Sequence, residues 1–122
     1  MSTEIKSKLI NSLEHKFYTR DRVTFDYVLA AKVKDAGLMI TRNYRVDLGN
    51  GRKGFVDYLI TSATGDRCAI EVDRRSPRER SLMKLRRLHE QGIPGFVLLR
   101  NGREPLRYSV DGVDVVRATR FG

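Results

Sequence analysis

The sequence predicts a single mixed α/β (α+β) domain in which helices flank a central mixed β-sheet. Two stretches near the N-terminus repeat apolar residues at helical spacing. The middle of the chain alternates apolar and polar residues between glycine-containing turns, and a third helical stretch then precedes a short apolar run. A chain of 122 residues is long enough for one core without cross-links. We therefore expect one domain over residues 1–122, with its core over about 23–100.

Two helices precede the sheet in this prediction. The first covers residues 3–18, with an apolar stripe that consists of Ile5, Leu9, Leu13 and Phe17. The second covers residues 23–36, and Gly37 suits its C-terminal end because glycine adopts a left-handed backbone without strain. The apolar stripe of the second helix consists of Phe25, Val28, Leu29, Val33 and Ala36. Such stripes are typical of helices that pack on a core along one side.

Three strands joined by tight turns follow, and they predict an antiparallel meander. The first covers residues 38–48 and ends in Gly49-Asn50-Gly51, a sequence that adopts positive φ at little cost. The other two lie within residues 54–74 and meet at a short Gly-Asp turn. Alternation divides the middle strand into two faces, one with Phe55, Asp57 and Leu59 and the other with Val56, Tyr58 and Ile60.

A third helix is predicted after the meander. Ser76-Pro77-Arg78-Glu79 is typical of a capping box with proline at the first helical position, and Gly92 marks the end of the helix. Its apolar face contains Leu82, Leu85, Leu88 and His89, so we expect a packed, hydrogen-bonded imidazole. The opposite face carries Arg80, Lys84, Arg87 and Gln91. We expect this basic face to contact phosphates, the alternative being an ordinary solvated surface.

The last part of the chain predicts one more strand of the central sheet and a small hairpin. The apolar run from Phe96 to Leu99 indicates a strand buried on both faces. Because a helix separates it from the meander, this strand should run parallel to the strand that carries Glu71. Residues 106–116 predict a hairpin around Asp111-Gly112. The order of the core elements is therefore αβββαβ.

Three acidic side chains occupy strand positions at which apolar residues are expected. Pairing through the Gly-Asp turn would place Asp57 opposite Glu71, and Asp73 projects from the same side as Glu71. Facing carboxylates repel each other unless a cation lies between them, so these residues predict a divalent metal site. The alternative is that the carboxylates are solvated or paired with nearby arginines, namely Arg67, Arg74 and Arg75.

The composition favours a polyanionic partner. Lys and Arg number 24 against 15 Asp and Glu, which gives a formal net charge of +9. Nucleic acid is the first expectation and an anionic membrane surface the second, although a merely cationic protein also fits. The single Cys68 excludes internal disulfides and a cysteine zinc cluster, and two histidines do not suffice for a histidine-rich site. Since no segment reaches membrane-spanning length, we expect a cytoplasmic protein without a membrane partner.

The segments VDYLI, AIEVDRR and LRRLHEQGIPGFVLLR, in this order of elements, resemble the PD-(D/E)XK nuclease superfamily, whose fold is restriction-endonuclease-like. The similarity is greatest to the very-short-patch-repair type of endonuclease. In that type an aspartate strand is followed by Glu-x-Asp, a basic helix, a glycine and a strand that ends in arginine. Within residues 38–100 the matching positions are Asp57, Glu71, Asp73, Arg87, Gly92 and Arg100.

The resemblance implies a DNA endonuclease that depends on Mg²⁺, with Mn²⁺ as an alternative metal. Asp57, Glu71 and the Val72 backbone carbonyl would hold the ion. Asp73 would be a further ligand or would orient the attacking water. Glu14 is an accessory acid in this hypothesis and otherwise a surface glutamate. The residues expected to contact DNA are Arg74, Arg75, Arg80, Lys84 and Arg87.

Two departures from the family pattern leave the general base unassigned. The superfamily pattern commonly ends in lysine, and that place is Asp73 here, so Lys84 or Arg75 would have to supply the positive charge. The polar residues, including a histidine, that often follow Glu-x-Asp in the repair-type enzymes are also absent. Arg74, Arg75 and Ser76 stand in their place.

Three functions remain open from the sequence. The first is a metal-dependent endonuclease that acts on duplex or branched DNA. The second is a DNA-binding module on a nuclease-like fold that no longer cuts, and its binding would be salt-sensitive and independent of Mg²⁺. The third is an interaction protein whose basic face meets an acidic partner. A homodimer is expected only for an enzyme that cuts both strands at once, because a nicking enzyme need not pair.

Overall fold

The computed structural model describes residues 2–14, 16–18, 21–101 and 107–119. Within these residues the chain forms three helices, α1 (Ser2–Leu13), α2 (Arg22–Asp35) and α3 (Glu79–Glu90). The strands are β1 (Met39–Gly49), β2 (Arg52–Thr61), β3 (Arg67–Asp73), β4 (Gly95–Leu99), β5 (Arg107–Val110) and β6 (Val113–Arg117). Among the described residues, no helix combines the length and the apolar character that crossing a membrane requires.

The strands form one mixed sheet in the order β1-β2-β3-β4-β6-β5. β1, β2 and β3 pair antiparallel as a meander, and β4 pairs parallel with β3 after the α3 crossover. Both features confirm the sequence prediction. The C-terminal hairpin also forms, but β6 pairs parallel with β4 and thereby extends the central sheet. Leu106, the first residue predicted for that hairpin, lies outside the described residues.

Helices cover both faces of the sheet. α1 and α2 pack on one face, where Leu9, Leu29 and Phe96 are fully buried in a shared core. α3 packs on the other face, in a second core that includes Leu85 and Val97. This arrangement confirms the predicted α+β class. It also places β3 in the interior of the sheet with helices on both sides, so polar groups on β3 lie away from water.

The second helix follows its prediction closely. α2 lies within one residue of the predicted bounds at each end. Asp21 is its N-cap, and the Asp21 carboxylate accepts the Thr24 N–H at 2.9 Å. Gly37 follows the helix with φ 78°, a left-handed conformation that suits glycine.

The N-terminal apolar stripe extends beyond its helix. α1 ends at Leu13 rather than at residue 18, yet Phe17 is only 1% exposed. The Phe17 N–H donates to the Ala118 carbonyl at 3.0 Å, and Phe17 forms a parallel bridge with Thr119. Its ring stacks on Phe25, with 4.3 Å between the ring centroids. The helix prediction was too long because the Phe17 backbone finds its hydrogen bond in a distant segment of the chain.

The start of α3 differs from the prediction. The capping box requires Ser76 at the N-cap and Pro77 at the first helical position, but the helix begins two residues later, at Glu79. Arg78 is the N-cap, and its backbone N–H donates to Asp73 Oδ2 at 3.0 Å. The capping-box prediction was wrong because a carboxylate at the end of β3 bonds the backbone at the helix start.

The buried face of α3 also differs from the prediction. Lys84 is only 9% exposed, whereas His89 is exposed. The prediction of a packed His89 imidazole was therefore wrong, and Lys84, predicted on the basic face opposite the core, lies on the buried side of the helix. The physical reason is that Lys84 has an acidic partner beneath the helix, which offsets the cost of removing its ammonium group from water.

Replacing Phe17 by alanine is expected to destabilise the fold strongly. The change removes a buried aromatic ring that stacks on Phe25, and such truncations cost about 3–5 kcal/mol of unfolding free energy. Urea denaturation measures the loss. Tyr27→Ala is the control, because Tyr27 is 79% exposed and its truncation should change stability by no more than about 0.5 kcal/mol. Equal losses in the two variants would contradict the role given to Phe17.

Candidate active site

The candidate site lies where β2 and β3 part. Their antiparallel ladder ends at the Tyr58–Ile70 pair, and Asp57 and Glu71 are the next residues on the two strands. The Val72 N–H donates to Asp57 Oδ2 at 2.8 Å, and the Asp57 N–H donates to Glu71 Oε2 at 3.4 Å. The two carboxylates therefore accept backbone hydrogen bonds that an uninterrupted ladder would give to carbonyl groups.

A change of face in the sheet brings Asp57 to this position. Asn43 lies opposite Asp57, between two regular β1–β2 pairs, and has a left-handed backbone with φ 54°. On one side of this point Tyr58 packs in the core of α1 and α2, and on the other side Val56 packs in the core of α3. The prediction that Val56 and Tyr58 share a face was wrong, because the irregular residue interrupts the alternation of the strands.

Lys84 reaches the carboxylates from α3. Its Nζ lies 2.5 Å from Glu71 Oε1 and donates to the Phe55 carbonyl at 2.8 Å. The lysine stem passes over Gly54, where an added Cβ would lie 3.3 Å from Lys84 Cδ. Glycine at this position therefore gives the stem its path to the strands. The sequence hypothesis names Lys84 or Arg75 as the missing positive charge, and the structure places the Lys84 ammonium group at Glu71.

Burial raises the pKa of Glu71 to about 8, well above the usual range of a carboxyl group. A hydrogen bond with the Asp57 carboxyl raises this pKa further, while Lys84 lowers it without reversing the shift. Glu71 is 0% exposed, so water does not solvate its charge. At neutral pH and without a metal, burial therefore favours the neutral form of Glu71.

Asp73 is buried at the end of β3 but contacts a different partner. Its Oδ1 accepts Arg78 Nε–H at 2.6 Å, and its Oδ2 accepts the Arg78 backbone N–H at 3.0 Å. Throughout the part of the chain that the structure describes, no three His, Cys, Asp or Glu side chains form a group that could hold a metal ion. The structure thus brings Asp57 and Glu71 together and leaves Asp73 paired with Arg78.

Arg22 is a neighbour of the site that the sequence argument missed. Its Nη2 lies 3.6 Å from Asp57 Oδ1, and its Nε donates to Asp26 Oδ2 at 2.9 Å. Burial and a hydrogen bond with Asp26 raise the pKa of the Tyr58 hydroxyl. The only signal for Arg22 in the sequence is its place just before the second apolar stripe, and no spacing rule connects that place with Asp57.

An open cleft of about 360 Å³ adjoins these residues at the end of β3. Its walls consist of Arg22, Val72, Asp73, Arg74, Arg75, Ser76, Arg78 and Arg100. Arg74 and Arg75, both predicted to contact DNA, are exposed in this cleft. The cleft therefore combines the backbone beside Glu71 with several guanidinium groups.

The other predicted site residues lie apart from the cleft. Arg80 is exposed on α3, whereas Arg87 is half-buried and donates its Nε–H to the Asp47 carbonyl at 3.3 Å. Arg87 thereby ties α3 to the end of β1 and does not continue an exposed basic stripe. Glu14 pairs with Arg107 of β5, at the far edge of the sheet. The structure does not bring Glu14 to the other acids.

The donor set at the β2–β3 gap fits a hard divalent cation. Asp57 and Glu71 supply carboxyl oxygens, and the Val72 backbone lines the adjoining cleft. Mg²⁺ and Mn²⁺ prefer oxygen ligands of this kind. Burial is the main cause of the raised pKa of Glu71, and Lys84 offsets it only in part. A cation at this place would favour the ionised form of Glu71.

Replacing Glu71 by glutamine is expected to change how stability depends on pH. The pKa of Glu71 is about 8 in the folded chain, above its ordinary value of 4.5, so the folded state loses stability as the pH rises from 4.5 to about 8. Glutamine does not ionise. Without divalent metal at about pH 8, the free energy of unfolding of the variant should exceed that of the parent by on the order of 1 kcal/mol or more.

Urea denaturation in EDTA at about pH 5 and about pH 8 measures this difference. Glu79→Gln is the matched control, because Glu79 is exposed at the start of α3. The difference in unfolding free energy between Glu79→Gln and the parent should be the same at both pH values. A constant difference for Glu71→Gln as well would show that Glu71 has no raised pKa.

No protein-family model matches the chain, and no curated protein is significantly similar to it in sequence. The function is therefore argued from the site itself, since one fold can support many activities.

Proposed function

We propose that the protein is a metal-dependent DNA endonuclease with a restriction-endonuclease-like core. It hydrolyses phosphodiester bonds in duplex or branched DNA, with Mg²⁺ as its metal and Mn²⁺ as an alternative. The core consists of α2, β1, β2, β3, α3 and β4, in the order αβββαβ. In this proposal α1 is an addition to the layer that α2 forms on one face, and the C-terminal hairpin is an addition that extends the sheet.

The pair of carboxyl groups at the β2–β3 gap is the observation that carries the proposal. Asp57 and Glu71 replace backbone pairing between two interior strands, and Glu71 is fully buried beside a second acid. Such an arrangement costs stability, because like charges repel and burial disfavours ionisation. A carboxyl group with a strongly raised pKa, such as Glu71, is typical of functional sites, where a cation or a proton transfer uses it.

The surroundings of the pair favour a nucleic acid substrate. The formal net charge of the chain is +9, and exposed arginines line the cleft that begins at Val72. Guanidinium groups bind phosphate oxygens with paired hydrogen bonds. Arg74, Arg75 and Arg80 are the exposed members of the predicted DNA contacts, so they are the groups that hold the strand in this proposal.

Each side chain at the gap has a role in phosphodiester hydrolysis. Asp57, Glu71 and the Val72 carbonyl would hold the metal, which polarises the scissile phosphate and lowers the pKa of bound water. Lys84, at 2.5 Å from Glu71, orients that carboxylate and stabilises negative charge on the phosphate. Asp73 serves as a further metal ligand or orients water after its ion pair with Arg78 breaks.

A DNA-binding module that does not cut is the second candidate. The observation that favours it is that two of the three acids pair with arginines. Arg22 Nη2 lies 3.6 Å from Asp57 Oδ1, and Arg78 is hydrogen-bonded to Asp73. If these pairs persist in solution, no divalent ion is needed to balance the charges. DNA binding would then be salt-sensitive and independent of Mg²⁺.

Asp57→Ala and Glu71→Ala are expected to abolish DNA cleavage and to keep or tighten DNA binding. Each change removes a metal ligand, and each also removes an acid that repels phosphate. Incubation with supercoiled plasmid and with branched DNA in Mg²⁺ or Mn²⁺ measures cleavage, and calorimetry measures metal binding. The formation of linear plasmid before nicked circles accumulate would indicate a homodimer that cuts both strands together.

Asp66→Ala is the control, because Asp66 lies in the β2–β3 turn at the opposite end of the strands. It should cut like the parent. Cleavage at the parental rate by both Asp57→Ala and Glu71→Ala would contradict the assignment of these residues to the active site. Metal-independent binding without any cleavage by the parent would favour the second candidate.

Lys84→Met is expected to slow cleavage by about 10²–10⁴-fold, the usual range for one positioned catalytic group. Methionine keeps the length and the apolar stem over Gly54 but removes the ammonium group at Glu71. Single-turnover cleavage in saturating Mg²⁺ measures the effect, and Lys34→Met on the exposed end of α2 is the control. Equal cleavage rates for Lys84→Met and Lys34→Met would show that Lys84 has no role in the reaction.

A further inference from the structure

The β1–β2 hairpin continues past the last β2–β3 pair as a two-stranded arm, which comprises residues 44–56. One face of the arm packs on α3, where Val46 and Val56 are buried in the second core. Side chains alternate along a strand, so the neighbours of these valines project from the opposite face. This open face begins directly beside Asp57 of the candidate active site.

Four exposed side chains occupy the open face of the arm. Arg45 lies opposite Phe55 on the partner strand, and Asp47 lies opposite Lys53. Opposite residues of an antiparallel pair project from the same face. Among the described residues, neither Arg45 nor Lys53 forms an ion pair. The open face therefore presents two free cations with an aromatic ring beside them.

Phe55 is a large apolar side chain that lies outside both cores. It is 48% exposed, and its neighbours on the open face are charged. Phe55 precedes Asp57 by two residues, which is roughly 7 Å along a strand. Lys84 Nζ donates to the Phe55 carbonyl at 2.8 Å and also contacts Glu71. The contacts of the candidate site thus fix the backbone that carries the ring.

The ring also lies on the side of the sheet from which Asp57 is accessible. Val56 packs against α3, so Phe55 projects toward the side on which α1 and α2 pack. Arg22, the first residue of α2, contacts Asp57 from that same side. A nucleotide next to a phosphate at Asp57 therefore has Phe55 within its reach.

We propose that the open face of the arm binds single-stranded DNA, with one unpaired base stacked on Phe55. An aromatic ring among cations is typical of single-strand binding, in which bases stack on the ring and cations contact the backbone. Arg45 and Lys53 contact the neighbouring phosphates. The bases of a duplex are already stacked on each other, so they offer the ring no free face. The ring is therefore the feature that distinguishes an unpaired base from a base pair.

The substrate class follows from this position, and this step rests on the proposed nuclease function. The base on Phe55 belongs to a nucleotide close to the scissile phosphate, so the DNA is unpaired on one side of the cut. Branched DNA with a single-stranded segment, such as a flap, a fork or a gap, is then the substrate. Continuous duplex is not.

A duplex that lies across the arm is the competing occupant. It would use the charges of Arg45 and Lys53 in the same way, because phosphate contacts do not depend on base pairing. It would not stack on Phe55. The two occupants are therefore separated by the response of this one ring to single strands and to duplexes of the same sequence.

A tryptophan at the proposed stacking position reports the contact directly. The chain contains no tryptophan, so Phe55→Trp introduces a single indole. In EDTA, which prevents cleavage, a single-stranded oligonucleotide should quench its fluorescence by stacking, whereas saturation with the duplex should leave the fluorescence nearly unchanged. Met39→Trp is the matched control, because Met39 is 62% exposed at the opposite end of β1. Equal quenching by both DNA forms, or in both variants, would overturn the proposal.

The affinity for single strands should depend on an aromatic ring at position 55. Phe55→Ala and Phe55→Leu should each weaken single-strand binding at least about tenfold, or about 1.4 kcal/mol, and leave duplex binding unchanged. Phe55→Trp should bind like the parent. Fluorescence anisotropy with labelled oligonucleotides measures all three variants. Parental affinity of the leucine variant would show an apolar contact without stacking and would contradict the proposal.

The cations of the open face are tested by salt dependence. Arg45→Gln/Lys53→Gln should reduce the slope of log affinity against log salt for single strands by about 1.4, since each phosphate contact contributes about 0.7. Lys16→Gln/Lys34→Gln removes the same charge from other exposed positions and should keep the parental slope. The same slope in both double variants would exclude the arm from the binding surface.

Cleavage in Mg²⁺ separates this proposal from the proposed function. Equal cleavage of a flap and of continuous duplex by the parent supports the nuclease and overturns the single-strand surface. Quenching of Phe55→Trp by single strands in EDTA, without cleavage of either DNA in Mg²⁺ or Mn²⁺, supports the surface and counts against the nuclease.

Discussion

The exchange of backbone pairing for carboxyl contacts between β2 and β3 is the constraint on which the rest of the structure depends. The Val72 and Asp57 amides are satisfied by side-chain oxygens, so the strands separate without leaving buried donors unpaired. Lys84 of α3 places a positive charge at Glu71, and its stem passes over Gly54 to reach it. The carboxyl contacts also depend on the change of face at Asn43. Because of this change, the Asp57 side chain lies next to β3 instead of in one of the two cores.

Local signals predicted the framework, and contacts between distant residues decided the rest. The alternation of apolar and polar residues, together with the turn residues, predicted the meander. The helix before β4 predicted that β4 runs parallel to β3. They also brought Asp57 and Glu71 together. Helical periodicity could not predict that Lys84 is buried, because its partner lies on another element. The capping pattern failed for the same reason, since Asp73 at the end of β3 bonds the start of α3.

The arginines of this chain serve two purposes that composition does not distinguish. Some neutralise acids within the fold, as Arg78 does at Asp73 and Arg107 does at Glu14. Others, such as Arg74 and Arg75, face solvent. A formal charge of +9 therefore overstates how uniformly the surface is cationic. Exposed arginines gather beside the two carboxyl groups of the β2–β3 gap, so the attraction for polyanions is strongest there.

The bridge between Phe17 and Thr119 sets an order of events during synthesis. The backbone group that Phe17 bonds belongs to Ala118, which is made about a hundred residues after Phe17. At about 5–20 residues per second, that interval lasts on the order of 5–20 s. The meander, α3 and β4 all emerge within it. The Phe17 backbone therefore has its hydrogen-bond partner only after the residues of the meander, α3 and β4 have all been made.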